Sequence, residues 1–162
     1  MTVVESHKDP QALTLTIKAE FTATPDKVWQ VWSDPRKLER WWGPPTWPAT
    51  FTSHDFVPGG RAQYYMTGPE GEKAHGWWEF VTIDAPNGLA FDDGFADQSG
   101  APQDDGLVTR AVVRLDGAFP GTLMTITSQF PSAQAMEQLV SMGMEEGIVG
   151  ALGQVDAILA ED

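Results

Sequence analysis

The sequence predicts an α+β domain: an antiparallel β-sheet, two short helices after its first strand, and one long helix at the C-terminus. Three observations carry that expectation. Segments of alternating apolar and polar residues are separated by turn-forming clusters such as Pro69-Glu70-Gly71-Glu72 and Pro86-Asn87-Gly88. Two proline-led helix starts interrupt the strands near the N-terminus. After Pro131 no further proline occurs, and apolar residues recur at helical spacing to the end.

The first strand is read from Leu13 to Phe21, where Leu13, Leu15, Ile17, Ala19 and Phe21 alternate with Thr14, Thr16, Lys18 and Glu20. His7, upstream of it, falls in a terminus expected to fray. Thr24-Pro25-Asp26 supplies an N-cap, a first-turn proline and a first-turn acid, and Val28, Val31 and Trp32 follow on one helical face. Ser33-Asp34-Pro35 repeats the signal for a second helix with Leu38, Trp41 and Trp42, ended by Gly43-Pro44-Pro45.

The turn at Pro58-Gly59-Gly60 opens a strand with Ala62, Tyr64 and Met66 on one side. The next strand sets Gly76, Trp78 and Phe80 against His75, Trp77 and Glu79, and the one after it aligns Leu89, Phe91 and Asp93. Residues 96–106 are polar, acidic and glycine-bearing, the pattern of a long mobile loop. Val108 to Leu115 and Thr122 to Phe130 close the sheet as a hairpin.

From Ser132 to Leu159 one amphipathic helix is expected, with Met136, Leu139, Val140, Met144, Ile148, Leu152 and Val155 on its apolar stripe. Gly143, Gly147 and Gly150 share that stripe, at a cost of about 1 kcal/mol each against alanine. Either they let the helix approach the sheet closely or they leave room for a cavity. Leucine at Gly143 or Gly147 would then overpack a closed core in the first case and fill a ligand's space, without loss of stability, in the second. A turn between Gly147 and Gly153 would argue against the cavity.

Composition narrows the function. The 162 residues suit one domain, spanning 1–162 with a core over about 13–160. A formal net charge of -13 repels phosphate, so nucleic acid and anionic membrane surfaces are poor partners. The absence of cysteine excludes disulfides, thiolate metal sites and thiol catalysis, and fits a reducing cytoplasm. Neither a signal-peptide core nor an apolar run long enough to span a bilayer is present.

The chain resembles the START-like, or SRPBCC, superfamily. Ala23-Thr24-Pro25 with Val28-Trp29, then Asp34-Pro35, Trp41-Trp42-Gly43-Pro44, Pro58-Gly59-Gly60 and Met144-Glu145-Glu146-Gly147, are similar to the family named after the activator of the heat-shock-protein-90 ATPase. The resemblance implies the helix-grip fold, a curved antiparallel sheet wrapped around a long C-terminal helix with an apolar cavity between them. The cavity-facing candidates it implies are Trp42, Tyr64, Met66, Trp78, Phe80, Phe91, Met124, Met136, Leu139, Val140, Gly143 and Gly147. Many relatives carry a carboxylate where this chain has Phe80, which implies a drier pocket here.

Among the titratable residues, Asp93 points inward, where burial would raise its pKa unless Arg61, Arg110 or another donor meets it. It joins the ligand-binding candidates. His54 and His75 lack a metal-ligand spacing, and Asp92, Asp97, Asp104 and Asp105 do not follow a calcium-loop pattern, so no metal or cofactor is expected. Trp41-Trp42-Gly43-Pro44 suits a core lid or the closure of a pocket. The preferred function is a cavity protein for a lipid-like, aromatic or polyketide-like molecule. A module acting on a chaperone ATPase, and a cyclase- or hydratase-type enzyme built on Asp93, Arg61 and His54, are the rivals.

Overall fold

The computed structural model describes residues 2–161. They form β1 (Thr2–Asp9), β2 (Thr14–Phe21), α1 (Pro25–Ser33), α2 (Pro35–Trp41), β3 (Ala49–His54), β4 (Arg61–Thr67), β5 (Lys73–Asp84), β6 (Gly88–Phe95), β7 (Thr109–Ala118), β8 (Gly121–Gln129), α3 (Ala133–Ser141), α4 (Met144–Leu152) and α5 (Val155–Leu159). The strands make one antiparallel, curved sheet in the order β1-β2-β8-β7-β6-β5-β4-β3. Its inner face carries Leu15, Ile17, Ala19, Ala62, Trp78, Phe91, Val113 and Met124, all buried, because successive side chains in a strand point to opposite faces.

Two strands lie outside the expectation. β1 was expected to fray, yet His7 pairs with Thr16 and Lys8 with Leu15; the open edge of β2 offers a row of backbone donors and acceptors that this segment satisfies. Lys8 Nζ also reaches Glu145 Oε1 at 2.8 Å, and Ser6 donates to the same carboxylate, so β1 holds α4 from outside. β3 forms the other edge, with Ala49 and Phe51 buried and Thr52 exposed.

The helix starts are those the prolines mark, but Thr24, the expected N-cap of α1, makes no side-chain capping bond, and Pro25 alone sets that start. Asp34 caps α2, its carboxylate accepting from the Arg36 N–H at 2.9 Å, and Ser132 caps α3 through the Ala135 N–H.

The C-terminal segment is not one helix. Gly143 has φ +92°, a conformation costly for any residue with a Cβ, and ends α3 while it starts α4. A second interruption at Gly153–Gln154 separates α5, which packs on α1 and α2. The apolar period survives because all three segments face inward, so hydrophobic spacing alone could not register the bends. The second turn touches the end of the 147–153 window, yet a cavity is present: helix continuity and the cavity are independent. Residues 96–106 carry bonds of their own. The Asp97 carboxylate accepts from the backbone N–H groups of Ser99 and Ala101 and from the Ser99 hydroxyl, and Ala96 bridges Pro102. No helix among the described residues is long and apolar enough to cross a membrane.

Candidate functional site

A cavity of about 320 Å³ lies between the inner face of the sheet, the end of α2 and the α3–α4 wall. Trp42, Tyr64, Met66, Phe91, Asp93, Leu139, Gly143 and Gly147 line it. The other expected residues do not. Trp78 is a layer behind, fully buried and stacked on Phe91 with ring centroids 4.1 Å apart. Phe80 lies further out, edge-on to Trp78 at 6.1 Å, to Phe56 at 5.1 Å and to His54 at 5.5 Å; because it is off the cavity lining, its replacement of a carboxylate does not dry the cavity. Met124 turns its sulfur to the Trp32 indole N–H, 3.3 Å away. Met136 is packed into the core, and Val140 is half-buried against it.

Trp41, Gly43 and Pro44, of the motif read as a lid, also line it, and residues outside the expected set complete the lining: Trp32, Phe95, Leu107, Thr109, Ala111, Ile126, Ser128, Met142, Met144, Ile148 and Ala151 among them. Ile126 and Ser128 share the inward alternation of Met124, a signal present in the sequence. Phe95, Leu107 and Met142 come from chain ends and connections whose placement only the fold determines.

The glycine stripe divides three ways. A Cβ built on Gly143 or Gly147 meets nothing within 4 Å, whereas one on Gly150 would touch Pro45 at 3.6 Å. Cavity room explains Gly147, and packing against the lid explains Gly150. Gly143 has room but also a left-handed backbone, so leucine there would be strained whatever the space. The test at that position cannot separate the two readings; Gly147, inside α4, can.

At one end of the cavity the Tyr64 hydroxyl donates to Asp93 Oδ1 at 3.1 Å. The two residues are not cross-strand partners: Tyr64 pairs with Gly76, and Asp93 with Trp78. The phenol reaches Asp93 by crossing over β5 at Gly76, where a Cβ would lie 2.4 Å from the ring. Only glycine permits that diagonal.

Burial raises the Asp93 pKa to about 7, against the opposing influence of the Tyr64 hydroxyl and the Trp78 indole. Desolvation and the Asp93 charge push the Tyr64 phenol well above its ordinary value. The indole N–H groups of Trp42 and Trp78 are buried, and neither has a hydrogen-bond partner of good geometry. Asp93 is the one acidic residue on the cavity lining, and no lysine, arginine or histidine lines it. The donors considered for Asp93 lie elsewhere: Arg61 meets Glu79, and Arg110 meets Asp92 at 2.6 Å, both among exposed groups. His54 stacks on Phe56, off the cavity lining. Asp93, Arg61 and His54 therefore do not converge. No group of three or more histidine or acidic side chains suited to a metal occurs among the described residues.

A curved sheet closed by helices over an internal cavity is the helix-grip architecture of START-like proteins. Within that class, residues 22–160 match the family described as Activator of Hsp90 ATPase homolog 1-like protein, and the chain belongs to it. It is similar to a protein of Arthrobacter aurescens solved by NMR, with 56% identity over 99% of this chain and 94% of that one, TM-score 0.94. A Mycobacterium smegmatis crystal structure matches at 43% identity over 99% of both chains, TM-score 0.91. The AHSA1 protein of Silicibacter pomeroyi, 21% identical over 91% of this chain and 97% of that one with a TM-score of 0.73, shares the fold. No curated protein matches.

Proposed function

We propose that the protein binds an apolar small molecule, lipid-like, aromatic or polyketide-like, in the cavity between the sheet and α3–α4. The observation that carries this reading is an internal space of about 320 Å³ lined by tryptophan, phenylalanine, methionine and aliphatic side chains, within the range of sites that take small ligands. Native mass spectrometry of the purified protein, together with titration of an apolar fluorescent dye into wild type and Gly147→Leu, tests it. A bound small molecule, or dye binding that Gly147→Leu removes, supports the reading. Dye binding equal in the two proteins would overturn it.

A second reading is enzymatic and has one observation in its favour, the hydrogen-bonded Asp93–Tyr64 pair inside the cavity. A carboxyl titrating near neutral pH is suited to moving a proton. Under that reading Asp93→Asn and Tyr64→Phe would abolish turnover while leaving binding intact. A chaperone-ATPase partner rests on the family's description alone.

A further inference from the structure

We propose that the cavity selects a ligand with a cationic head, an amine or quaternary ammonium group on an apolar body, and that Asp93 is its counter-ion. The inference rests on the small-molecule reading above and adds the ligand's charge. The observation behind it is an imbalance. Asp93 is half-buried and lines an otherwise apolar space with no basic side chain beside it, and a carboxylate largely removed from water without a positive partner is costly. Tyr64 donates to Oδ1 at 3.1 Å, and the Trp78 indole lies close by. Donors placed around a carboxylate favour its ionised form but do not neutralise it. A guest's cation would.

The walls suit the same guest. Trp32, Trp42, Tyr64 and Phe91 line the same cavity as Asp93, and Trp32 and Trp42 lie 6.1 Å apart and tilted, so these two rings are not stacked face to face. Aromatic faces attract ammonium groups most strongly where water is excluded. A net charge of -13 raises the local concentration of cations and lowers that of anions. An anionic head would meet Asp93 with no compensating charge.

Phenylbutylamine, phenylbutanol and phenylbutyrate share an apolar body and differ in the head group. Calorimetric titration of the three into the whole protein at pH 8 is expected to rank amine above alcohol above carboxylate, the amine about tenfold or more tighter than the alcohol. Asp93→Asn should remove the amine's advantage over the alcohol, since the charge is lost while the side-chain oxygen can still accept from Tyr64. A measurement on wild type alone gives a second check: at pH 5 the amine should lose its advantage while the alcohol does not.

That pH dependence belongs to Asp93 because of what faces it. From β4 comes Tyr64, the one titratable group acting on it; β5 presents Trp78 and β7 presents Thr109, and the residues that the helical side and the end of α2 bring to the cavity lining, among them Trp42, Met142 and Met144, carry no charge. The adjacent Asp92 and Arg110 pair with each other. Alcohol binding without an amine advantage, or an advantage that survives both Asp93→Asn and pH 5, would overturn the cation proposal and leave the apolar-cavity reading standing. Failure of all three compounds to bind would overturn both.

Discussion

Trp41 donates its indole N–H to the carbonyl oxygen of Val31 at 2.9 Å, and Pro35 is the reason that oxygen is free. In a continuous helix the Val31 carbonyl would accept from the residue four positions on, but proline has no N–H to give. The break that separates α1 from α2 thus creates a buried acceptor, and the last residue of α2 folds back to satisfy it. The same tryptophan sits edge-on to Trp32 at 4.8 Å and lines the cavity.

Trp41→Phe keeps an aromatic ring and removes the donor. It should cost roughly 1–3 kcal/mol for the unsatisfied carbonyl, with a further loss for the smaller volume. Urea denaturation compared with wild type measures it; a cost below about 0.5 kcal/mol would show that water reaches Val31.

Gly147→Leu should leave the melting temperature unchanged or raise it. The glycine lies inside α4 with open space beside its Cα, so leucine gains helix propensity of about 1 kcal/mol and fills part of the cavity. Gly143→Leu should instead destabilise, because its φ of +92° is strained for any L side chain. Thermal melts should lower the melting temperature for Gly143→Leu and not for Gly147→Leu.

The Asp93 carboxyl makes stability depend on pH in an unusual direction. Its folded pKa is raised to about 7 from an ordinary value of 3.8, so between those two pH values the folded state holds a proton that the unfolded state has lost. Stability from this group is therefore greatest in acid and falls as pH rises toward 7. Asp93→Asn should gain on wild type by roughly 2–4 kcal/mol between pH 4 and pH 8. Chemical denaturation of both proteins across that range reads the difference, and a flat difference would contradict the burial of the charge.

His54 acts with the opposite sign. Desolvation lowers its pKa below 6.5, and its Nε2 is buried without a partner, so below about pH 6.5 the unfolded chain takes up a proton first and stability is lost on acidification. His54→Phe should fit among Phe51, Phe56 and Phe80. The stability difference between variant and wild type should shift toward the variant as pH falls from 7.5 to 5; a shift toward wild type would refute the assignment.

Much of the architecture was legible because it rests on local chemistry. Pro25 and Pro35 start helices for steric reasons, and Asp34 adds a local capping bond; the inward set from Leu15 to Phe21 follows from strand period alone. β1 was not legible, since Val3, Glu5 and Lys8 show no apolar alternation; it is held by its backbone against the free edge of β2. The bend at Gly143 was hidden because hydrophobic spacing records which residues face inward and not whether the axis turns. At the site, the inward direction of Asp93 was readable from Leu89 and Phe91. Its partner was not: the contact with Tyr64 is a diagonal across β5 that depends on a missing side chain at Gly76, a relation between three strands.

The attachment of α4 has a consequence for traffic into the cavity. Of its nine residues only Ala151 and Leu152 are buried. Its start is held by Ser6 and Lys8 to Glu145, and the turn after it is held by Gln154, whose amide donates to the Gly43 carbonyl at 2.8 Å. This wall is latched at its ends more than it is packed along its length. Segments with few buried apolar contacts open at the lowest free-energy cost, so α4, between Gly143 and the Gly153–Gln154 turn, is the part of the wall expected to open first. On the small-molecule reading proposed above, weakening either latch should then shorten the residence time of a guest more than it lowers affinity.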